Sequence, residues 1–393
     1  MKLHWSAILG TALLLLQAGM SFGQRYEPHK DSIVREEVPK GTVTEHTWNT
    51  SKVFPGTTRN YWVYVPAQYT PDEPACLMVF QDGGLLVDPD GDISAALELT
   101  VRIPTVFDNL IHQGAMPVSI GIFVDPGMKQ DEPDQRSVEY GSIGDAYARF
   151  LLEEIIAEVG SEYALTDQAE GRAICGFSSG GVCAFIAAWE RPDLFSKVIT
   201  FCASYVNRRG AGRYQQLVRE SKGAPKPLRL FLQTGEEDLH IVPSVNGKDL
   251  SDLPGDWRIG NLTMSAALEY AGYDFEFVMG TGGHELSHAS HIFPDVLRWI
   301  WRDYPGVTAS GDLSFQPREA ESAPSIEGMT LTTTTDGVEI AWTFGEHGAL
   351  SLSAGEFGGN FKGDYAQYGT DVFIFVPGKS IRAIYNGDTL IIS

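Results

Sequence analysis

A serine between glycines, a carboxylate and a histidine, each just past an apolar run, are the residues of this chain whose types and spacing suit chemistry on an ester. The serine is Ser178, in Gly176-Phe177-Ser178-Ser179-Gly180. Ala173 to Cys175 form a short apolar run before it, and Val182, Phe185, Ile186 and Trp189 recur beyond it at helical spacing. The order is strand, sharp turn and helix. Glycines flank the serine because such a turn leaves no room for side chains, and the hydroxyl is left exposed above a parallel sheet. The pentapeptide alone is a weak signal, since Gly/Ser strings are common in ordinary loops.

An ester-cleaving serine needs a base to take its proton, an acid to orient that base, and N–H donors for the developing oxyanion. The run Leu228 to Gln233 leads into Thr234-Gly235-Glu236-Glu237-Asp238, where three acids compete. Asp238 is favoured because three residues past Gly235 it clears the strand end, with Glu237 second. A solvated acidic loop accounts for the others. Phe275 to Met279 leads through Gly280-Thr281-Gly282-Gly283 into His284. The order Ser178, Asp238, His284 is that of an α/β-hydrolase. The expected oxyanion donors are the backbone N–H of Ser179 and one from Gln81-Asp82-Gly83-Gly84, another strand end rich in glycine.

A rival reading is metallic. His284-Glu285-Leu286-Ser287-His288 matches the H-E-x-x-H string of zinc proteases, with His291 nearby. Glycines at 282 and 283 and Phe293-Pro294 argue against a continuous helix there, and zinc would leave the serine turn unexplained. Asp88, Asp90 and Asp92 resemble a calcium loop only loosely, because the glycine is misplaced and position twelve is Leu99. The expectation is therefore no metal and no organic cofactor.

These residues need a sheet to bring them together. Val43 to Phe54 and Asn60 to Val65 read as an antiparallel hairpin at a sheet edge. Apolar strand runs follow at Ala75–Phe80, Val118–Val124, Lys197–Cys202, Leu228–Gln233 and Phe275–Met279, with helical spacing at Val106–Ile111, about 143–158 and Phe293–Tyr304. That alternation predicts an α/β fold with a mostly parallel sheet covered on both faces, its functional residues at the carboxyl ends of strands.

The remainder bounds the setting. With 43% hydrophobic residues the 393-residue chain is globular in composition, and its formal net charge of -22 opposes encounter with nucleic acid or anionic lipid. Residues 1–23 read as a secretory signal peptide, with an apolar run Ala7–Leu16 and a cleavage site at Ser21-Phe22-Gly23. A mature chain starting near Gln24, secreted or periplasmic and without a membrane span, is expected. The hydrolase domain is assigned to 24–306, with a polar leader to about 42. A linker covers 307–328, and a small β-rich accessory module with Asp-Gly, Gly-Gly and Asn-Gly turns covers 329–393. Cys76, Cys175, Cys183 and Cys202 lack C-x-x-C spacing and read as buried thiols, with a Cys175–Cys202 pair left open by export.

Over about residues 50–305 the chain resembles the Putative esterase family of α/β-hydrolases, which includes enterochelin esterases, feruloyl esterases and mycolyltransferases. The resemblance rests on Tyr61-Trp62-Val63-Tyr64-Val65-Pro66, Phe80-Gln81-Asp82-Gly83, Met116-Pro117, Arg136-Ser137-Val138-Glu139-Tyr140, Gly176 to Gly181, Ala188-Trp189-Glu190-Arg191-Pro192, and Gly283-His284 before Leu297-Arg298-Trp299. It is nearest the enterochelin-esterase-like branch. It implies catalytic roles for Ser178, Asp238 and His284, and an oxyanion N–H from Gly84. The sequence departs from that branch at Gly141, where the branch carries Asp, and in a longer loop from Leu239 to Asp256.

Arg136 is a candidate clamp for an anionic group on the substrate, or a brace paired with Glu139, the favoured role. Asn207, Trp257 and Asn261 are further candidate cleft residues. The reading is a secreted serine carboxylic-ester hydrolase working through an acyl-enzyme on siderophore-type or polysaccharide-linked acyl and feruloyl esters. Acyl transfer to a sugar is chemically identical until the acceptor arrives, and a silent glycan-binding scaffold is the reading from another class. The substrate is a small-molecule or glycan-linked ester, no nucleic-acid partner is expected, and the sequence leaves the oligomeric state open.

Overall fold

The computed structural model describes residues 29–86, 102–130, 135–206, 210–241, 255–280, 282–308, 313, 315, 326–335, 338–345, 349–354, 360–368, 371–376, 379–385 and 390–392. The expected signal peptide, Asn207 and the aspartates at 88, 90 and 92 lie outside them. No helix among the described residues is long and apolar enough to cross a membrane.

Strands β1 (Thr42–Trp48), β2 (Arg59–Val65), β3 (Cys76–Gln81), β4 (Ser119–Val124), β5 (Arg172–Phe177), β6 (Lys197–Phe201), β7 (Arg229–Gly235) and β8 (Asp274–Gly280) form one sheet in the order β1-β2-β4-β3-β5-β6-β7-β8. β2 runs antiparallel to β1 and β4, and every pairing from β4 to β8 is parallel. The parallel strands β3, β4 and β6 are buried along their whole length. That is why they read as unbroken apolar runs, whereas β1 at the edge alternates exposed and half-buried residues.

Helices cover both faces: α1 (Gly83–Leu86), α2 (Ile103–His112), α3 (Gln135–Gly141), α4 (Ala146–Phe150, continuing through Leu151–Ile155 to Ile156–Gly160), α5 (Ser179–Glu190), α6 (Tyr214–Glu220), α7 (Trp257–Ala271) and α8 (Ser287–Ile300). One core layer packs Tyr140, Phe150, Phe185 and Trp189 beneath α3, α4 and α5, and the other packs Phe107, Phe123, Phe293 and Trp301 beneath α2 and α8. Two expectations are corrected. β1 ends at Trp48 rather than Phe54, because Ser51 and Thr57 fold the connection into a turn by bonding the Phe54 N–H and C=O. The last helix begins at Ser287, six residues before Phe293, and continues through Pro294 because its apolar face is buried along its length.

A buried ion pair fixes the antiparallel edge to α3. The side chains of Arg59 and Glu139, both 0% exposed, are joined at 2.5 and 2.9 Å, and Phe150 packs on the guanidinium at 4.1 Å. Glu139 is thus taken by Arg59 and is not the partner of Arg136.

The chain from Thr330 forms a second sheet, an antiparallel meander of seven strands: β9 (Thr330–Thr335), β10 (Val338–Phe344), β11 (Ala349–Ala354), β12 (Asn360–Tyr368), β13 (Asp371–Val376), β14 (Lys379–Tyr385) and β15 (Leu390–Ile392). All four cysteines are buried and unpaired, so Cys175 and Cys202 form no disulfide.

Candidate active site

Ser178 sits between β5 and α5 with φ 56° and ψ −120°. A non-glycine residue held there is strained, and this strain lifts the side chain out of the turn. Glycine is obligatory two residues earlier: a Cβ on Gly176 would lie 2.2 Å from the Gly180 carbonyl oxygen. The Ser178 N–H donates to Phe201 O at 2.9 Å, and its carbonyl accepts from Ser204 N at 3.0 Å. The strained turn is therefore tied to the neighbouring β6 end.

Two loops at adjacent strand ends bring the other groups to it. After β7 the N–H groups of Glu236 and Glu237 donate to the carbonyls of Gly280 and Gly282 beyond β8. Gly235 lets those loops touch, because a Cβ there would meet Gly282 O at 2.0 Å. His284 then reaches Ser178 Oγ through Nε2 at 2.8 Å and Asp238 Oδ1 through Nδ1 at 2.6 Å. Asp238 is buried, while Glu236 and Glu237 are exposed.

The carboxylate is held on its far side. Thr234 Oγ1 donates to Asp238 Oδ2 at 2.6 Å, and Leu239 N donates to Oδ1 at 2.7 Å. With Asp238 ionised, Nδ1 carries a proton, and Nε2 accepts the Ser178 hydroxyl proton. Phe177 and Trp257 flank the imidazole, at ring separations of 4.9 and 6.0 Å.

The loop after β3 lies against the first turn of α5. A Cβ on Gly180 would approach Asp82 Oδ2 to 2.8 Å. Asp82 takes φ 59°, receives a bidentate pair of 2.7 Å bonds from Arg136, and donates its N–H to Tyr140 Oη at 3.1 Å. The partner of Arg136 is therefore Asp82 rather than Glu139. The Gly84 N–H, expected to face an oxyanion, donates to Asp125 Oδ1 at 2.8 Å. Burial, opposed by that bond, pushes the Asp125 carboxyl up to about 6.

Trp257 and Asn261 do not line an open cleft. Trp257 is 3% exposed and Asn261 0%. Asn261 Nδ2 bonds the carbonyls of Ala203 and Trp257 at 2.8 and 2.9 Å, tying α7 to the β6 end. Trp257 Nε1 donates to Ser204 Oγ at 3.0 Å, and Ser204 Oγ lies 3.5 Å from Ser178 Oγ. Sequence reasoning missed Ser204, Thr234 and Asp125. Thr234 lies at the end of β7, Asp125 directly follows β4 and Ser204 lies three residues past β6, so the strand-end rule that selected the other residues could have found them.

The two histidines of the zinc-like string are separated by structure. His284 is on the loop, whereas His288 is buried in α8, its Nδ1 3.3 Å from Gln233 Nε2 and its Nε2 3.3 Å from Phe315 O. Burial pushes His288 down to about 4. Cys202, Asp238 and His284 do bring ligand-type atoms within 4.8 Å of one another. Burial, with the nearby Asp238 charge, raises the Cys202 thiol well above its ordinary range.

A mostly parallel sheet, a strained serine at the β5–α5 turn and groups gathered at strand ends define an α/β-hydrolase. Residues 51–299 match the family described as "Putative esterase", and the chain belongs to it. It is 22% identical over 208 residues to the uncharacterized protein YbbA of Bacillus subtilis, covering 51% of this chain and 73% of that one. Among solved structures it superposes on the enterobactin esterase FES of Shigella flexneri, with enterobactin present, at TM-score 0.52 and 18% identity. That match covers 70% of this chain and 62% of the other, so the chain spans about three fifths of that protein's length. It superposes on a ferulic acid esterase of Anaeromyces mucronatus, in complex with ferulic acid, at TM-score 0.53 and 18% identity, covering 70% and 96%. At these identities the likeness establishes the shared fold.

Proposed function

We propose that this protein is a secreted serine carboxylic-ester hydrolase that works through an acyl-enzyme. The observation that carries the reading is the continuous contact from Ser178 Oγ to His284 Nε2, 2.8 Å, and from His284 Nδ1 to Asp238 Oδ1, 2.6 Å. As Ser178 Oγ attacks the ester carbonyl, His284 takes its proton, and the Asp238 carboxylate stabilises the imidazolium. Collapse of the tetrahedral intermediate expels the alcohol, protonated by His284. Water, deprotonated by the same imidazole, then releases the acid and returns the proton to Ser178.

The oxyanion is held by the Ser179 N–H, at the start of α5, and by the Gly84 N–H, which turns from Asp125 to the oxyanion as its charge develops. The substrates are siderophore-type esters or acyl and feruloyl esters carried on polysaccharide. Membership of an esterase family supports this, as do neighbours whose structures contain enterobactin or ferulic acid. Residues 24–306 act as the catalytic unit, 307–328 as a linker and 329–393 as an accessory module.

The test is release of p-nitrophenol from short acyl esters by wild type and Ser178→Ala, followed by a panel of feruloylated sugars, acetylated glycans and catecholate trilactones. Loss of turnover in the variant is expected. Undiminished turnover removes Ser178 from the mechanism, and activity that needs added zinc favours the histidine string instead.

A further inference from the structure

The directions of the hydrogen bonds around Ser178 are set at both ends. An indole N–H can only donate, and an ionised carboxylate can only accept. At one end, Trp257 Nε1 donates to Ser204 Oγ at 3.0 Å, so the Ser204 proton must point elsewhere. At the other, Asp238 accepts from His284 Nδ1, so Nε2 accepts the Ser178 proton and the lone pairs of Ser178 Oγ are left to receive a donor. The group facing them is the Ser204 hydroxyl, 3.5 Å away.

We infer that Ser204 is a further catalytic residue, whose hydroxyl, oriented by the Trp257 indole, donates to Ser178 Oγ as that oxygen gains negative charge. The inference rests on the reading of Ser178 as nucleophile. At 3.5 Å the bond is weak at rest, so it contributes little to the ground state. A donor that tightens only as charge builds lowers the barrier, because it binds the transition state better than the resting enzyme. Ser178 Oγ regains charge when the acyl-enzyme breaks, so the same hydroxyl assists both halves of the cycle.

The placement of Ser204 is enforced by its surroundings. Its N–H donates to Ser178 O at 3.0 Å, so the two serines are joined through backbone as well as side chains. Asn261 fixes the carbonyls of Ala203 and Trp257 on either side of the pair. Ser204 is 1% exposed, which keeps bulk water from competing for its proton. Trp257 is a positioning residue, acting on Ser178 through Ser204.

The experiment compares Ser204→Ala, Ser204→Cys, Ser204→Thr, Trp257→Phe and the Ser204→Ala/Trp257→Phe double variant with wild type and Ser178→Ala. It uses the full chain, p-nitrophenyl acetate, and a fluorophosphonate titration that counts competent sites. Ser204→Ala and Ser204→Cys should each lower kcat about 10-fold or more with KM within about twofold, at or below the roughly 10²- to 10³-fold scale of one donor to a developing oxyanion. Trp257→Phe should lower kcat by less, and the double variant should be no worse than Ser204→Ala, since both act through one proton. Ser204→Thr keeps the hydroxyl and should recover most of the rate, its methyl entering the small cavity lined by Ser137, Gly141, Val182 and Ala211.

Cysteine preserves the packing, so Ser204→Cys decides the matter even if Ser204→Ala does not fold. A wild-type kcat in Ser204→Cys beside an inactive Ser178→Ala overturns the role of Ser204 and leaves the nucleophile standing. Multiplicative losses in the double variant overturn the coupling through Trp257. An active Ser178→Ala overturns the reading beneath both.

Discussion

The Gly84 N–H donates to the Asp125 carboxylate at 2.8 Å, on the loop that lies against the first turn after Ser178. Asp125 directly follows β4 and Gly84 lies just past β3, so this one bond joins two strand ends near Ser178. It is made by a carboxyl whose burial raises it to about 6. Because the folded-state value lies above the ordinary 3.8, the folded chain binds more protons than the unfolded one between about pH 4 and 6. The Asp125 contribution to stability therefore falls as pH rises through that window and levels off above it. Asp125→Asn keeps an acceptor without the charge and should gain about 2 kcal/mol on wild type between pH 4 and 7. Urea midpoints at the two pH values check it; an unchanged difference would contradict it.

His288 should act in the opposite sense. Its value is pushed down to about 4, below the ordinary 6.5, so the unfolded chain binds the extra proton between those values. The stability it protects is complete above about pH 6.5 and is lost as pH falls towards 4, by about 3 kcal/mol. His288→Gln should flatten that slope in acid unfolding curves.

Removing one partner of the Arg59–Glu139 pair strands the other charge without solvent. Glu139→Ala should cost about 3–5 kcal/mol, measured by chemical denaturation, whereas replacing both by methionine should cost less than the two single changes summed. The bonds from Gln135 Nε2 and Gly127 N to Glu139 add to the loss in the single variant.

A methyl group at Gly235 collides with Gly282 O, separating the loops that hold Asp238 against His284. Gly235→Ala should lower kcat by about 10²-fold or more, on the scale of a displaced catalytic group. Gly160→Ala is the control: a Cβ there meets nothing within 4 Å, and the variant should keep full activity with stability unchanged or raised by about 0.5–1 kcal/mol.

Arg136 braces Asp82 beneath the serine turn, so its loss should depress kcat for neutral and anionic esters alike. Arg136→Gln should lower kcat about 10-fold with both p-nitrophenyl acetate and an anionic ester. A rise in KM confined to the anionic ester would instead identify a substrate clamp.

Much of the scaffold was legible because burial on both faces writes itself as unbroken apolar runs. The strands at 76–81, 119–124 and 229–235 were placed to within a residue or two on that ground. The last helix was misjudged because a proline is costly inside an isolated helix, and packing of its buried face outweighs that cost in the fold. The partner of Arg136 was misassigned because sequence proximity favours Glu139, three residues away on the same helix, while Arg59 reaches that carboxylate from β2.

By itself the sequence determined the serine turn, the order of the three reactive groups and the sheet that carries them. Glycine spacing and apolar periodicity are local properties, readable one segment at a time. Only the tertiary structure decided which of three neighbouring acids is buried against the imidazole, that Asp125 holds the Gly84 N–H, and that Ser204 and Trp257 stand behind Ser178. Those contacts join strand ends far apart in the chain, and their distances are set by how the sheet twists and how its loops pack, which no single segment encodes.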